Sequence, residues 1–309
     1  MTAPTPRQTP PADDAYAARA RRPLIRLPHP PGPRTGRTAE RGALRRTRGI
    51  PMTRLLALLW DVDGTLAETE RDGHRVAFNQ AFESLGLPWR WDEARYGELL
   101  AVTGGRERLM ADLATRADAP PTADERDALA RELHALKNGF YAELVRSARL
   151  PLRAGVAELM RECRAAGVRL AITTTTSRSN VDALLRVHLG ADWRAGFAAV
   201  VCGEDVQRKK PDPEVFQRAL AQLGLQPLQA LALEDSPGGV AAARAAEVPV
   251  VVTRSAYFAE ASVDGAIAIG PGLHTRAGWH PTLRGDDGRV GLDDLVGWHD
   301  AMEIVSQFG

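Results

Sequence analysis

Leu58-Leu59-Trp60-Asp61-Val62-Asp63-Gly64-Thr65-Leu66 is an apolar run that ends in two aspartates one residue apart, followed by Gly-Thr. A parallel strand covered on both faces needs continuous apolar residues, so residues 55–60 read as such a strand. Asp61 and Asp63 then fall just beyond its carboxyl end, where open α/β sheets place their ligand sites. Charge there is costly unless a metal or a substrate pairs with it, so the pair points to chemistry.

After Thr65 the pattern becomes helical. Val76, Phe78, Ala81, Phe82 and Leu85 share one face. Helical spacing continues to about Val145, with breaks at Leu87-Pro88, Gly104-Gly105 and Pro120-Pro121 and no convincing strand. From Pro151 helices and strands alternate. Helices are expected over 155–166 (closed by Gly167), 180–189, 213–223 (closed by Gly224) and 238–246. Strands are expected over 168–173, 198–202, 230–233 and 248–252. This alternation predicts an α/β fold with a doubly wound parallel sheet. The all-helical block interrupts it after the first strand and reads as a cap over the sheet's carboxyl edge. The predicted organisation is a core over 52–67 and 150–270, a helical cap over 68–149, and a C-terminal extension over 271–309. Its last stretch, from Leu292, reads as a closing strand or helix without a functional assignment.

The chain has 309 residues and a formal net charge of +1. That near-zero total hides an asymmetry, because residues 1 to about 50 are rich in Arg and Pro and poor in acid. The rest is therefore net acidic, which does not suit a nucleic-acid binder. Cys163 and Cys202 give neither metal spacing nor a disulfide framework, which fits a cytoplasmic compartment. No apolar run approaches the ~20 residues of a membrane span, and no obligate protein partner is inferred. Residues 1–51 read as a disordered extension. Met52, directly before the strand, favours a spurious start upstream of it. A basic interaction tail is the alternative, and the prolines and scarce serines disfavour a transit peptide.

Each predicted strand end carries polar residues. The first bears Asp61 and Asp63, the next Thr173 to Ser177, and the last Glu234-Asp235-Ser236, while Arg208-Lys209-Lys210-Pro211-Asp212-Pro213 precedes a helix. A doubly wound sheet brings these ends to one edge. Acids, hydroxyls and a lysine together suit phosphoryl transfer with Mg²⁺, which prefers oxygen ligands. An aspartate can attack phosphorus and form an aspartyl-phosphate. A second one can protonate the leaving oxygen and then activate water.

Asp61-Val62-Asp63-Gly64-Thr65 resembles the first motif of the haloacid dehalogenase superfamily in its phosphatase branch. Thr174 matches the second motif, Lys210 the third and Glu234-Asp235 the fourth, in order, across residues 55–252. The helical block occupies the position of that superfamily's type-one cap, over a Rossmann-like core. Thr65 to Glu70, His74 to Asn79, Thr103 to Arg108 and Thr174 to Ser177 look like the CbbY-like phosphatases. Members of that group act on xylulose-1,5-bisphosphate, a misfire product that inhibits Rubisco. The β-phosphoglucomutases and phosphoglycolate phosphatases are related and stand as alternatives. A dehalogenase is disfavoured, since it needs neither Asp63 nor a Mg²⁺ site, and a catalytically dead binding protein is disfavoured by the intact acids.

The resemblance implies Asp61 as nucleophile and Asp63 as proton shuttle. Thr174 and Lys210 hold the phosphoryl group, and Asp61, Asp63, Glu234 and Asp235 form the Mg²⁺ site. The substrate-binding candidates for a small phosphorylated sugar are Glu68, His74, Gly105, Arg106, Thr175 and Ser177. Arg106 suits a distal phosphate, because its planar fork binds oxyanions bidentately. Lys209 reads as a surface residue, and Trp89 and Trp91 as packing.

Overall fold

The apolar run before Asp61 forms the fully buried strand β1 (Ala57–Trp60). The computed structural model describes residues 54–147, 150–283, 285 and 288–308, with side chains through residue 302. The extension over residues 1–51 lies outside the described residues.

A π-turn over Glu70–His74 follows β1 and runs into α1 (Arg75–Ser84). Then come α2 (Glu93–Leu99), α3 (Gly105–Thr115) and α4 (Ala123–Arg146). The breaks expected at Leu87-Pro88 and Pro120-Pro121 fall between these helices, and the one at Gly104-Gly105 falls at the start of α3. Thr122 caps α4: its hydroxyl accepts the Glu125 amide at 3.2 Å, and the Glu125 carboxylate accepts the Thr122 amide at 3.1 Å. This insert has its own core of Phe78, Phe82, Trp89, Trp91, Tyr96, Leu109 and Leu113. Trp89 and Trp91 pack there, with their ring N–H groups donating to Asp118 at 2.7 Å and Asp112 at 3.0 Å. Burying each such side chain contributes about 1.5–3 kcal/mol, which lets the insert hold its shape above the sheet edge.

The alternating half follows as α5 (Val156–Ala166), β2 (Arg169–Thr173), α6 (Arg178–Leu189), β3 (Ala199–Val201), α7 (Glu214–Leu223), β4 (Ala230–Glu234), α8 (Pro237–Ala245) and β5 (Val250–Thr253). Gly167 closes α5 at φ 73°, a conformation that costs glycine least. The sheet is parallel throughout, in the order β3-β2-β1-β4-β5-β6. Its last strand, β6 (Ala268–Gly270), was not foreseen from the sequence. Three residues, Ala268-Ile269-Gly270, carry too little periodicity to read. The closing element, expected as a strand or a helix, is the helix α9 (Leu292–Phe308).

Neighbouring residues on a strand face opposite layers. Leu58, Trp60 and Ile172 therefore pack with α5, α6 and α9, whereas Ala57, Leu59 and Ala232 pack with α7 and α8. Trp279 stacks on Trp298 at 4.8 Å, and buried His299 lies 2.7 Å from the Leu228 carbonyl, so the C-terminal segment is part of this packing. Trp60 is paired with Ile172 on one side and Leu233 on the other. The ends of β1, β2 and β4 are thus level, and the strand order reverses beside β1. No helix among the described residues is long and apolar enough to cross a membrane.

Candidate active site

Level strand ends bring Asp61, Thr173-Thr174 and Glu234-Asp235 to one edge. Carboxylate oxygens of Asp61, Glu234 and Asp235 lie within 4.8 Å of one another, and all three residues are buried. Lys210 reaches the same point from the loop before α7. Its ammonium donates to Asp61 Oδ1 at 2.7 Å, Glu234 Oε1 at 2.5 Å and the Thr173 carbonyl at 2.8 Å. Burial works against that charge, but Asp61 and Glu234 outweigh it and hold the lysine protonated above its ordinary range.

One lysine does not balance three buried acids. Burial raises the Asp61 carboxyl well above its usual range, against the pull of Lys210 and with the help of Glu234 and Asp63. Burial and the charges of Asp61 and Glu234 raise Asp235 likewise. A cluster of oxygen donors short of positive charge fits a hard divalent cation. Two glycines make room for it. A Cβ on Gly64 would overlap the Asp235 carboxylate, and one on Gly239 would overlap that of Glu234.

Asp63 stands apart from this cluster. Its Oδ1 accepts the Thr69 hydroxyl at 2.5 Å and the His74 Nε2–H at 2.8 Å. Burial alone would raise its carboxyl, but the charge and hydrogen bond of His74 and the Thr69 bond hold it well below the ordinary carboxylate range. The π-turn that ends at His74 aims the ring at Asp63, and Tyr141 stacks on its other side at 4.3 Å.

The two acidic groups open into a cavity of about 680 Å³ between the sheet edge and the helical insert. Thr175, Ser177 and Lys210 line it from the core, and His74, Gly105 and Arg106 from the insert. Thr174 is buried, with its Oγ1 accepting the Thr176 amide at 3.2 Å, and is not among the lining residues. Glu68 is likewise outside the lining; it accepts the Ala256 amide at 3.3 Å and lies 3.6 Å from Arg153. Arg106 reaches the cavity, but its guanidinium is ion-paired with Asp127. Lys209, read as a surface residue, instead bridges core and insert, with its ammonium 2.7 Å from both Glu107 oxygens.

Sequence reasoning missed two lining residues on α4, His134 and Lys137. The signal for Lys137 was present: it falls in the stripe Leu133, Lys137, Tyr141, Val145, whose other members are apolar and buried at four-residue spacing. A lysine in such a stripe is not a solvated surface residue.

The family pattern of the haloacid dehalogenase-like hydrolases matches residues 55–247, which span the sheet, the insert and these strand ends. The chain belongs to that family. Within it the chain is similar to proteins named CbbY. Protein CbbY of Cupriavidus necator is 48% identical over 224 residues, 70% of this chain and 85% of that one. The crystal structure of CbbY from Rhodobacter sphaeroides in complex with phosphate is 40% identical, covers 69% of this chain and 92% of that one, and superposes with a TM-score of 0.64. A mutant of the same protein in complex with xylulose-(1,5)bisphosphate is 39% identical over the same shares, also with a TM-score of 0.64.

Proposed function

We propose that this phosphatase is magnesium-dependent and hydrolyses a small phosphorylated sugar, most specifically a sugar bisphosphate such as xylulose-1,5-bisphosphate, through an aspartyl-phosphate. The observation that carries the reading is the cluster of Asp61, Glu234 and Asp235 around Lys210, open to a cavity roofed by the helical insert. The R. sphaeroides complex with xylulose-(1,5)bisphosphate supports the substrate class.

Asp61, Glu234 and Asp235 would hold the ion, which, once bound, supplies positive charge to the phosphoryl oxygens. The remaining work belongs to the chain. Lys210 fixes the Asp61 carboxylate and neutralises charge beside it. Asp61 attacks phosphorus, and the Thr175–Ser177 turn offers hydroxyl and amide donors to the transferring group. Asp63, held ionised by Thr69 and His74, is set to take the proton of the attacking water. Protonating the leaving oxygen requires a proton on Asp63, and His74 at 2.8 Å is the group from which one can come. Thr174 supports the turn by binding the Thr176 amide. The insert shields the reaction from bulk water.

The test is phosphate release from a panel of sugar phosphates and bisphosphates, with and without Mg²⁺, in wild type and Asp61→Asn. Turnover that requires Mg²⁺ and disappears in the variant is expected. Unchanged release by Asp61→Asn would sink the mechanism, and an isomerised sugar phosphate without free phosphate would identify a mutase instead.

A further inference from the structure

The helical insert joins the core through two stretches of chain, residues 63–69 and 150–155, and the two are stitched together. Ala67 pairs with Leu152 in an antiparallel bridge, and the Arg153 amide donates to the Leu66 carbonyl at 2.8 Å. The Arg153 side chain, only 14% exposed, adds a second set of ties. One terminal nitrogen donates to the Gly64 carbonyl and, at 3.2 and 3.3 Å, to the hydroxyl and carbonyl of Thr253. The other donates to the Arg254 carbonyl and, at 3.2 Å, to the Pro271 carbonyl. Its Nε lies 3.6 Å from the Glu68 carboxylate.

One guanidinium thus joins the turn after Asp63 to the ends of β5 and β6. Arg254 and Pro271 lie beyond residues 55–247, so part of this joint falls outside the family pattern. The C-terminal segment presses on the same stretch, since a Cβ on Gly155 would meet the Leu273 backbone at 2.8 Å. Gly64 is buried, and its carbonyl has no other hydrogen-bond partner among the described residues. Its amide donates to the Ala67 carbonyl at 2.8 Å, and its missing Cβ admits the Asp235 carboxylate. Arg153 itself is not among the residues that line the cavity.

We propose that Arg153 is a positioning residue for the phosphatase reaction: by holding the Gly64 carbonyl, it sets the turn that carries Asp61 and Asp63 against Asp235. This rests on the magnesium-phosphatase reading of the site. The planar guanidinium reaches acceptors on several sides at fixed angles, whereas a lysine ammonium is a point charge on a flexible stem. The fork, rather than the charge, is therefore what the joint uses. Without it the buried Gly64 carbonyl has no partner, and the peptide must turn to find one. The room left beside Asp235 then moves with it. Because Arg153 stands outside the cavity, its loss is felt in ion binding and turnover and not in affinity for the sugar.

The experiment titrates Mg²⁺ alone into substrate-free wild type, Arg153→Met and Arg153→Lys by calorimetry. It also measures kcat and KM at saturating Mg²⁺ on the sugar phosphate that the panel turns over fastest. In Arg153→Met the Mg²⁺ dissociation constant is expected to rise about 10–100-fold and kcat to fall about tenfold, with KM within about twofold. Arg153→Lys, which keeps the charge and loses the fork, is expected to lie within about threefold of Arg153→Met. An unchanged Mg²⁺ constant, a raised KM with kcat intact, or full recovery in Arg153→Lys would overturn the proposal. If Arg153→Met fails to fold, Arg153→Lys decides by its losses against wild type. Should wild type bind no Mg²⁺ or release no phosphate from any member of the panel, the magnesium-phosphatase reading falls and this inference with it. Should wild type do both while the variants match it, only the inference falls.

Discussion

Replacing Lys137 with methionine is expected to make the protein more stable and a poorer enzyme. Lys137 is only 3% exposed. Burial, against the favourable pull of Asp63 and Glu70, brings its ammonium from 10.5 down to about 8. At about 1.4 kcal/mol per tenfold, that difference means the folded state penalises the charged lysine by roughly 3 kcal/mol. Methionine has a similar reach and no charge. It gives up the ammonium's approach to the Phe78 and Tyr141 rings, at 5.2 and 5.3 Å, contacts of about 0.5–1 kcal/mol each. The net gain at pH 7 is then about 1–2 kcal/mol, or a rise in Tm of roughly 2–8 °C. The pH dependence has a definite sign. Up to about pH 8 the lysine is charged in both states and the penalty is fully present. Between about 8 and 10.5 the unfolded chain binds more protons than the folded one, so wild-type stability rises with pH and the penalty vanishes above that window. Urea unfolding at pH 7, 9 and 10.5, alongside kcat/KM on the substrate identified by the panel, checks both halves. A variant no more stable at pH 7, or one whose advantage persists at pH 10.5, would refute the reasoning.

Two further perturbations probe the site's supports. Gly64 sits at φ 86° and its missing Cβ leaves room for the Asp235 carboxylate, so Gly64→Ala is expected to weaken magnesium affinity by about 10–100-fold, read from the Mg²⁺ concentration giving half-maximal activity; an unchanged value would show that Asp235 has slack. The Lys209–Glu107 bridge is half-exposed and joins the core loop to α3, so Glu107→Lys is expected to raise KM, and adding Lys209→Glu to restore it with a coupling of about 0.5–1 kcal/mol at low salt. A coupling that is zero, or indifferent to salt, would remove the bridge from the closure of the cavity.

The parts of this molecule that could be read from the sequence are those whose cause is local. A fully buried strand must be apolar along its length, so the run into Asp61 was legible, and so were the acids, hydroxyls and lysine at the other strand ends. Helix stops at Gly167 and Gly224 were legible for the same reason, because a left-handed residue is a local demand. Strand β6 was not, since an edge strand of three residues takes its conformation from its neighbour Val251-Val252-Thr253 rather than from its own pattern. The insert's side chains were harder still. Arg106 carries the right chemistry for a distal phosphate, but its partner Asp127 is on another helix, and no spacing rule reveals that pair. Glu68 similarly turns to the Ala256 amide, far along the chain. Lys137 is the instructive exception. Its distance from solvent is encoded by the stripe it shares with Leu133, Tyr141 and Val145, and an ammonium placed in such a stripe costs stability that apolar packing would not. That cost needs a counterpart, and Lys137 lines the same cavity as Asp61 and Asp63. Reading a stripe for the residue that violates it, rather than for those that satisfy it, would have placed the second half of this site before any fold was known.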